Sequence, residues 1–205
     1  MKENIAFRLI IAAQLIAMGV VRAYFGAPRG EESAEPGQTA HGESAWLTAT
    51  LGILAILHFG AVFLYLVHPP LLRWSALEIA APIRWIALVI SCLGAAGEIW
   101  AAVSLGTSYS PMLRVAKERV VVTAGPYRWI RHPLYAFGLP MMAGWGIAAD
   151  SWFILASGTV LITVLMIIRV PREEAMMLEG FGESYRDYMT RTGRFVPRWR
   201  RVRPK

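Results

Sequence analysis

Apolar runs of membrane length alternate with short polar connections along this chain of 205 residues. A transmembrane helix needs about 20 mostly apolar residues. Ile5 to Phe25 supplies one such run, interrupted by Arg8 and Gln14. Trp46 to Val67 is a second, with aromatic residues at both ends where interfacial anchors belong. Ile83 to Val103 is a third. Leu134 to Ala149 is shorter and holds Pro140 and three glycines; the turn "ADS" then leads into Trp152 to Ile168, so these two runs read as a helical hairpin. The pattern predicts an all-α integral membrane bundle of about five transmembrane helices. After it, Leu178, Phe181, Tyr185 and Tyr188 recur at spacings of three, four and three, which predicts an amphipathic C-terminal helix at the membrane interface.

The polar stretches divide this single membrane domain. Residues 1–103 form a three-span region with a loop at 26–45 that is rich in Gly, Pro, Ser and Glu, and residues 104–205 form the second region. Composition agrees: 56% of residues are hydrophobic and only 17% charged. The net charge of +7 is unevenly spread, with ten of the 21 Lys and Arg between Arg169 and Lys205. A basic tail on a lipid-embedded chain points to the cytoplasmic membrane surface, with Trp199 at headgroup depth, rather than to nucleic acid. The connection between Ser104 and Pro133 carries five more Lys and Arg and should share that side. Five crossings then put the N-terminus outside and the 26–45 loop inside. The first run lacks a small-residue cleavage motif before a polar mature domain, so it reads as a span. The single cysteine, Cys92, excludes an intrachain disulfide and a thiolate metal cluster, and reads as a small buried side chain.

Two ionisable groups fall inside spans. His58 reads as a helix–helix contact. Glu98 is either a functional carboxylate or a snorkelling one. "GAAG" at Gly94 to Gly97 suits close helix packing, and no Gly-rich phosphate loop follows a strand, which argues against a soluble nucleotide-binding fold.

Two polar clusters flank the hairpin: Tyr127, Arg128, Arg131, His132 and Tyr135 before it, and Arg169, Arg172, Glu173 and Glu174 after it. A hairpin returns its chain to the starting side, so both clusters can meet at one membrane face. Pro133 suits the first turn of a helix and pushes His132 toward an extended conformation, at the mouth of that helix where free N–H groups can hold an anion. Pro171 predicts a break or kink that leaves Glu173 and Glu174 in the first turn of a new helix. There they are either favourable helix starters or part of a site.

"GPYRWIRHPLY", followed some way on by "REEAMMLEGFGESYRDYMTRTGRFVP", resembles the isoprenylcysteine carboxyl methyltransferase family, with the phospholipid N-methyltransferases sharing the general plan. The similarity runs from about Gly94 to Pro197. It implies an integral membrane enzyme that uses S-adenosylmethionine near the cytoplasmic face. It also implies a cofactor site at Arg119, Val120, Val121, Val122, Tyr127, His132, Pro133, Leu134, Tyr135 and Glu173. Arg169 matches an arginine associated with substrate, and Glu174 completes the acidic pair; these two are the candidate catalytic residues, and no metal is implied. At Arg119 the family often has a histidine, and the 26–45 loop has no counterpart.

The chemistry is compatible. A glutamate can accept from the ammonium or hydroxyls of the cofactor, His132 and free N–H groups can hold its carboxylate, and Tyr127 and Tyr135 offer aromatic faces. The acceptor is expected to be lipophilic, entering between helices from the lipid. A carboxylate needs only orientation by Arg169, whereas a phospholipid amine would need a base such as Glu174 or Glu98. A small thiol is a further option, and a small transporter or scaffold is the non-enzymatic alternative.

Overall fold

The computed structural model describes residues 2–26, 45–106 and 121–198. The 26–45 loop beyond Gly26, Arg119, Val120 and Trp199 therefore lie outside the described residues, apart from Ala45 at the start of a helix. Seven helices follow in order: α1 (Lys2–Gly26), α2 (Ala45–Val67), α3 (Ala81–Leu105), α4 (Pro133–Ala148), α5 (Trp152–Val164), α6 (Val170–Phe181) and α7 (Glu183–Arg191). Among the described residues the only β-type pairings are two isolated bridges.

Four helical stretches are long and apolar enough to cross a membrane: Asn4–Phe25, Trp46–Val67, Ala81–Leu105 and Trp152–Phe181. The fifth expected crossing, α4, has 16 residues. At 1.5 Å per residue it spans about 24 Å, short of a hydrocarbon core of about 30 Å. It nevertheless traverses the bundle along α3. Its N-terminal end lies where Trp129 meets Trp100, 6.0 Å between ring centroids, and its C-terminal end is where the Ala148 carbonyl accepts from Arg84, 3.0 Å. Protein rather than lipid surrounds much of α4: Met141, Met142, Trp145 and Ala148 are buried.

Small residues set the spacing of α3 and α4. A Cβ on Gly97 would lie 2.5 Å from the Phe137 ring, and one on Gly144 would lie 2.6 Å from the Ala87 carbonyl oxygen. Between helices in lipid the hydrophobic effect gives no preference, so close backbone approach and buried polar contacts hold the bundle. Gln14 of α1 supplies the second kind: its carbonyl accepts from Trp145 Nε1 at 2.7 Å, and its amide donates to Ser91 Oγ and Cys92 Sγ at 3.2 and 3.0 Å. His58 is fully buried against Gly158, with Nδ1 3.1 Å from Ser157 Oγ and its ring stacked parallel to Trp145, which is the helix–helix contact expected of it. Cys92 corrects the sequence reading. It is exposed on the outer face of α3, because its neighbours Ser91 and Gly94 take the inward positions.

Of the break or kink expected at Pro171, the break is corrected. Helix runs continuously from Trp152 to Phe181, and residues Leu165–Arg169 form a π-helical turn between α5 and α6. A proline lacks the N–H for the preceding turn and crowds its carbonyl. Widening that turn accommodates the misfit without a break, and such π-bulges re-aim side chains within a helix. Here the re-aimed side chain is Arg169, the last residue of the bulge.

Helix α6 ends at Gly182, whose φ of 53° is a left-handed value that favours glycine, and α7 turns away. Tyr185 and Tyr188 are buried. Tyr188 donates a hydrogen bond to the Tyr127 carbonyl at 2.7 Å, so the apolar face of α7 is turned onto the loop before α4; the single amphipathic helix expected over Leu178, Phe181, Tyr185 and Tyr188 is instead divided at Gly182, with the first two residues in α6.

Candidate active site

Three segments meet at the membrane face where α4 begins. The first is the loop from Gly125 to His132. It makes a 3₁₀ turn, Gly125–Arg128, and then bends through Arg131 to His132, whose φ of −123° and ψ of 60° are neither helical nor fully extended, and which precedes Pro133 at the first position of α4. The second is the π-turn with the start of α6. The third is the chain after α7: Arg131 N–H donates to the Gly193 carbonyl at 2.8 Å, His132 N–H to Arg194 at 3.0 Å, and Gly193 N–H to Trp129 at 3.0 Å. These bonds are one short parallel pairing, Ile130 with Gly193. They satisfy a backbone that proline keeps out of the helix.

Glu174 sits at the centre, 4% exposed. Its Oε1 accepts from Arg131 Nε at 2.9 Å and lies 3.2 Å from His132 Nε2 and from Arg194 Nε; Oε2 pairs with Arg194 Nη2. Arg131 in turn donates to the carbonyls of Thr192, 2.6 Å, and Met189, 3.3 Å, which ties the carboxylate to the end of α7. Glu173 faces a second set of partners. Tyr135 donates to its Oε1 at 2.6 Å, Arg169 Nε lies 3.3 Å from the same oxygen, and His132 Nδ1 lies 3.4 Å from Oε2. His132 thus bridges the two carboxylates, with the Phe195 ring 6.0 Å away. Arg172 Nη1 is a buried N–H that has no hydrogen-bond partner among the described residues.

Burial alone would depress the His132 pKa, but hydrogen bonds and charge from Glu173 and Glu174 outweigh it and hold the imidazole above its ordinary value of 6.5. The sign follows from linkage. A raised native pKa gives stability that is fully present below the unfolded value and is lost as pH rises through the folded one. Glu173 and Glu174 contact His132 directly, Tyr135 lies beside it, and Arg131, Arg194 and Arg169 reach the same two carboxylates. The unfolding temperature in detergent is therefore expected to fall from about pH 6.5 upward, and His132→Gln should flatten that limb. An unchanged limb in the variant would show that another group titrates.

The sequence-predicted residues Tyr127, His132, Pro133, Leu134, Tyr135, Arg169, Glu173 and Glu174 all fall in or beside this cluster, and Val121 and Val122 lead into its loop without regular structure. Sequence reading assigned no role to Arg194 and placed Arg131 only in a general cluster. Both are keyed to Glu174, and the signal for Arg194 is visible only once Gly193 pairs with the loop before α4. Glu98, expected either to act or to snorkel, does not snorkel: it is buried in α3, and its Oε1 would lie 2.6 Å from a Cβ on Gly138.

Residues 85–179, which hold most of this cluster, match the family model for isoprenylcysteine carboxyl methyltransferases. That match covers somewhat less than half of the chain. The chain is 28% identical over 120 residues to protein-S-isoprenylcysteine O-methyltransferase of Tribolium castaneum, covering 56% of this chain and 43% of that protein. It is also 28% identical over 160 residues to the cobalt-zinc-cadmium resistance protein CzcN of Cupriavidus metallidurans, covering 78% of this chain and 65% of that one. The solved structure of a eukaryotic intramembrane Ras methyltransferase, ICMT, superposes with a TM-score of 0.54 at 20% identity over 92% of this chain and 62% of its own. That likeness bears on the fold. The chain thus spans between about two fifths and two thirds of the length of these relatives.

Proposed function

We propose that the protein is an S-adenosylmethionine-dependent methyltransferase acting on a lipophilic acceptor, with carboxyl methylation of an isoprenylcysteine-like molecule as the first reading. The observation that carries it is the convergence of the two family motifs on one pair of carboxylates. Tyr135 and His132 of the first reach Glu173 and Glu174 of the second across the hairpin.

The donor set fits the cofactor. Arg131, Arg169, Arg172, Arg194 and His132 outnumber the two glutamates, and the unsatisfied Arg172 N–H leaves capacity for a carboxylate. Glu173, 24% exposed in its side chain and held by Tyr135, is the acceptor for an ammonium or ribose hydroxyls. Tyr127 and Tyr135 offer aromatic faces to adenine or a sulfonium. Pro133 and Leu134 contribute the first turn of α4 beside His132. Arg119, Val120, Val121 and Val122 would supply main-chain contacts from the preceding connection. When bound, S-adenosylmethionine supplies an electrophilic methyl group.

The chain's residues have little else to do chemically. An acceptor carboxylate is already a nucleophile, so no proton has to be removed; Arg169, re-aimed by the π-turn, orients it. Glu174, enclosed by three cationic partners, acts as the positioning residue that holds Arg131, His132 and the C-terminal segment together. The Lys and Arg distribution makes this face the cytoplasmic one. The acceptor enters from lipid between the helices.

The buried carboxyl of Glu98 favours keeping a second reading, a small lipophilic acceptor such as a thiol or an amine. Such an acceptor needs a proton acceptor, and buried Glu98, packed against Gly138 one turn of α4 beyond Tyr135, is the carboxyl placed for it.

Calorimetry with S-adenosylmethionine on the detergent-purified protein tests the cofactor assignment. Glu173→Gln is expected to weaken binding about 10-fold or more, the worth of a charge-assisted hydrogen bond. An unchanged dissociation constant would remove Glu173 from the site.

A further inference from the structure

The opposite membrane face carries a second polar site. The N-terminal end of α1, the 3₁₀ turn Pro69–Ser75 after α2, the start of α3 and the turn at Asp150 enclose a cleft of about 250 Å³. Two guanidinium groups line it. Arg84 is fixed in place: Nε donates to the Ala148 carbonyl at 3.0 Å, Nη2 to Asn4 Oδ1 at 3.0 Å, and its carbon lies 4.5 Å above the Phe7 ring. Arg73 is exposed, and its guanidinium makes no hydrogen bond or ion pair with the described residues. Asp150 is the acid of the lining, and its Oδ1 is already taken by the Ile79 N–H at 2.8 Å.

Tyr65 closes the floor. It is 5% exposed; Arg84 and Arg8 lie close enough to act on its hydroxyl, Arg84 as a donor, but no acceptor among the described residues takes the O–H. A buried hydroxyl whose O–H finds no acceptor is costly to desolvate. A polar group aimed into a cleft between two arginines is suited to a ligand that brings acceptor oxygens and negative charge. Outside the lining, Leu71 and Trp74 of the same turn are 55% and 60% exposed and give the neighbouring surface an apolar character that suits a membrane interface.

We propose that this cleft holds the phosphate of an anionic phospholipid in the leaflet opposite the His132–Glu174 cluster. Arg73 and Arg84 would pair with the phosphate, the Tyr65 hydroxyl would donate to one of its oxygens, and the acyl chains would lie along Leu71 and Trp74. The site stands apart from the methyl-transfer reading and does not depend on it.

Native mass spectrometry and thermal unfolding of the full chain in detergent test it. The additives are dioleoylphosphatidylglycerol, dioleoylphosphatidylcholine or inorganic phosphate. Phosphatidylglycerol is expected to be retained about 10-fold more strongly than phosphatidylcholine, and Arg73→Gln to abolish most of that preference. Tyr65→Phe keeps every charge and is expected to weaken retention several-fold, which general attraction to a basic surface would not do. Equal retention of the two lipids, or loss with Arg73→Gln but none with Tyr65→Phe, would overturn the site. Protection by millimolar inorganic phosphate equal to that by the lipid would overturn the lipid as its source.

Discussion

Glu174→Gln is expected to lower the stability of the protein by about 3–5 kcal/mol, the usual cost of removing one partner from a buried charge pair. The reason is the number of cations that depend on that carboxylate. Arg131, His132 and Arg194 all point at it, and Arg131 and His132 are themselves nearly buried. Neutralising Glu174 leaves them facing an amide that cannot balance their charge. It also loosens the pairing of residues 192–194 with the loop before α4, because Arg131 and Arg194 are anchored on both sides of it. Thermal unfolding in detergent, followed by fluorescence of the tryptophans, measures the loss. Arg194→Gln is the comparison: its side chain is 46% exposed, so a much smaller drop is expected. An unfolding temperature unchanged in Glu174→Gln would mean that the carboxylate does not hold this face together, and it would return to consideration as a group that acts on substrate.

Arg169→Ala is expected to lower turnover by about 10²–10³-fold, the range seen when one preorganised electrostatic group is removed from a reacting centre, while leaving the S-adenosylmethionine dissociation constant nearly unchanged. Arg169 ends the π-turn and reaches Glu173 by an i,i+4 ion pair of 3.3 Å. It therefore stands between the carboxylate proposed to bind the cofactor and the bundle from which a lipophilic acceptor would arrive. Glu173 keeps Tyr135 and His132 as partners when Arg169 is lost, which is why binding should survive. Abolished cofactor binding in Arg169→Ala would show that the division between cofactor and acceptor residues is misplaced.

Much of this architecture is written in local pattern. Apolar length alone locates four of the spans, and the Pro133 and "ADS" punctuation bounds α4 to within one or two residues. The site pairs across the hairpin follow from topology: a chain that crosses and returns must bring residues 127–135 and 169–174 to one face. What pattern could not give are features that depend on contacts distant in sequence. Continuity of helix through Pro171 is one, since the π-turn replaces the break that local propensity predicts. The inward face of α3 is another. Cys92 lies outside and Glu98 inside because Gly94 and Gly97 choose which side meets α4, and an all-apolar helix carries little amphipathic signal to reveal it. Arg194 is the third. It reads as one more charge in a basic tail until the backbone of Gly193 pairs with Trp129 and Arg131. The transporter alternative predicts polar groups concentrated at midplane. The densest cluster of charged partners lies instead at the mouth of α4, although His58, Gln14 and Glu98 show that buried polar contacts also occur within the bundle.

The central claim is that this face transfers a methyl group. The direct measurement is incubation of the purified protein in lipid nanodiscs with S-adenosylmethionine labelled in its methyl group, together with a farnesylcysteine analogue, phosphatidylethanolamine or a long-chain thiol. Label is predicted to appear in the organic phase as a base-labile ester on the farnesylcysteine analogue, and to disappear in Arg169→Ala. Label on the thiol or the amine alone would move the acceptor to the second reading. No label on any acceptor, from folded protein with the cofactor present, would contradict the account.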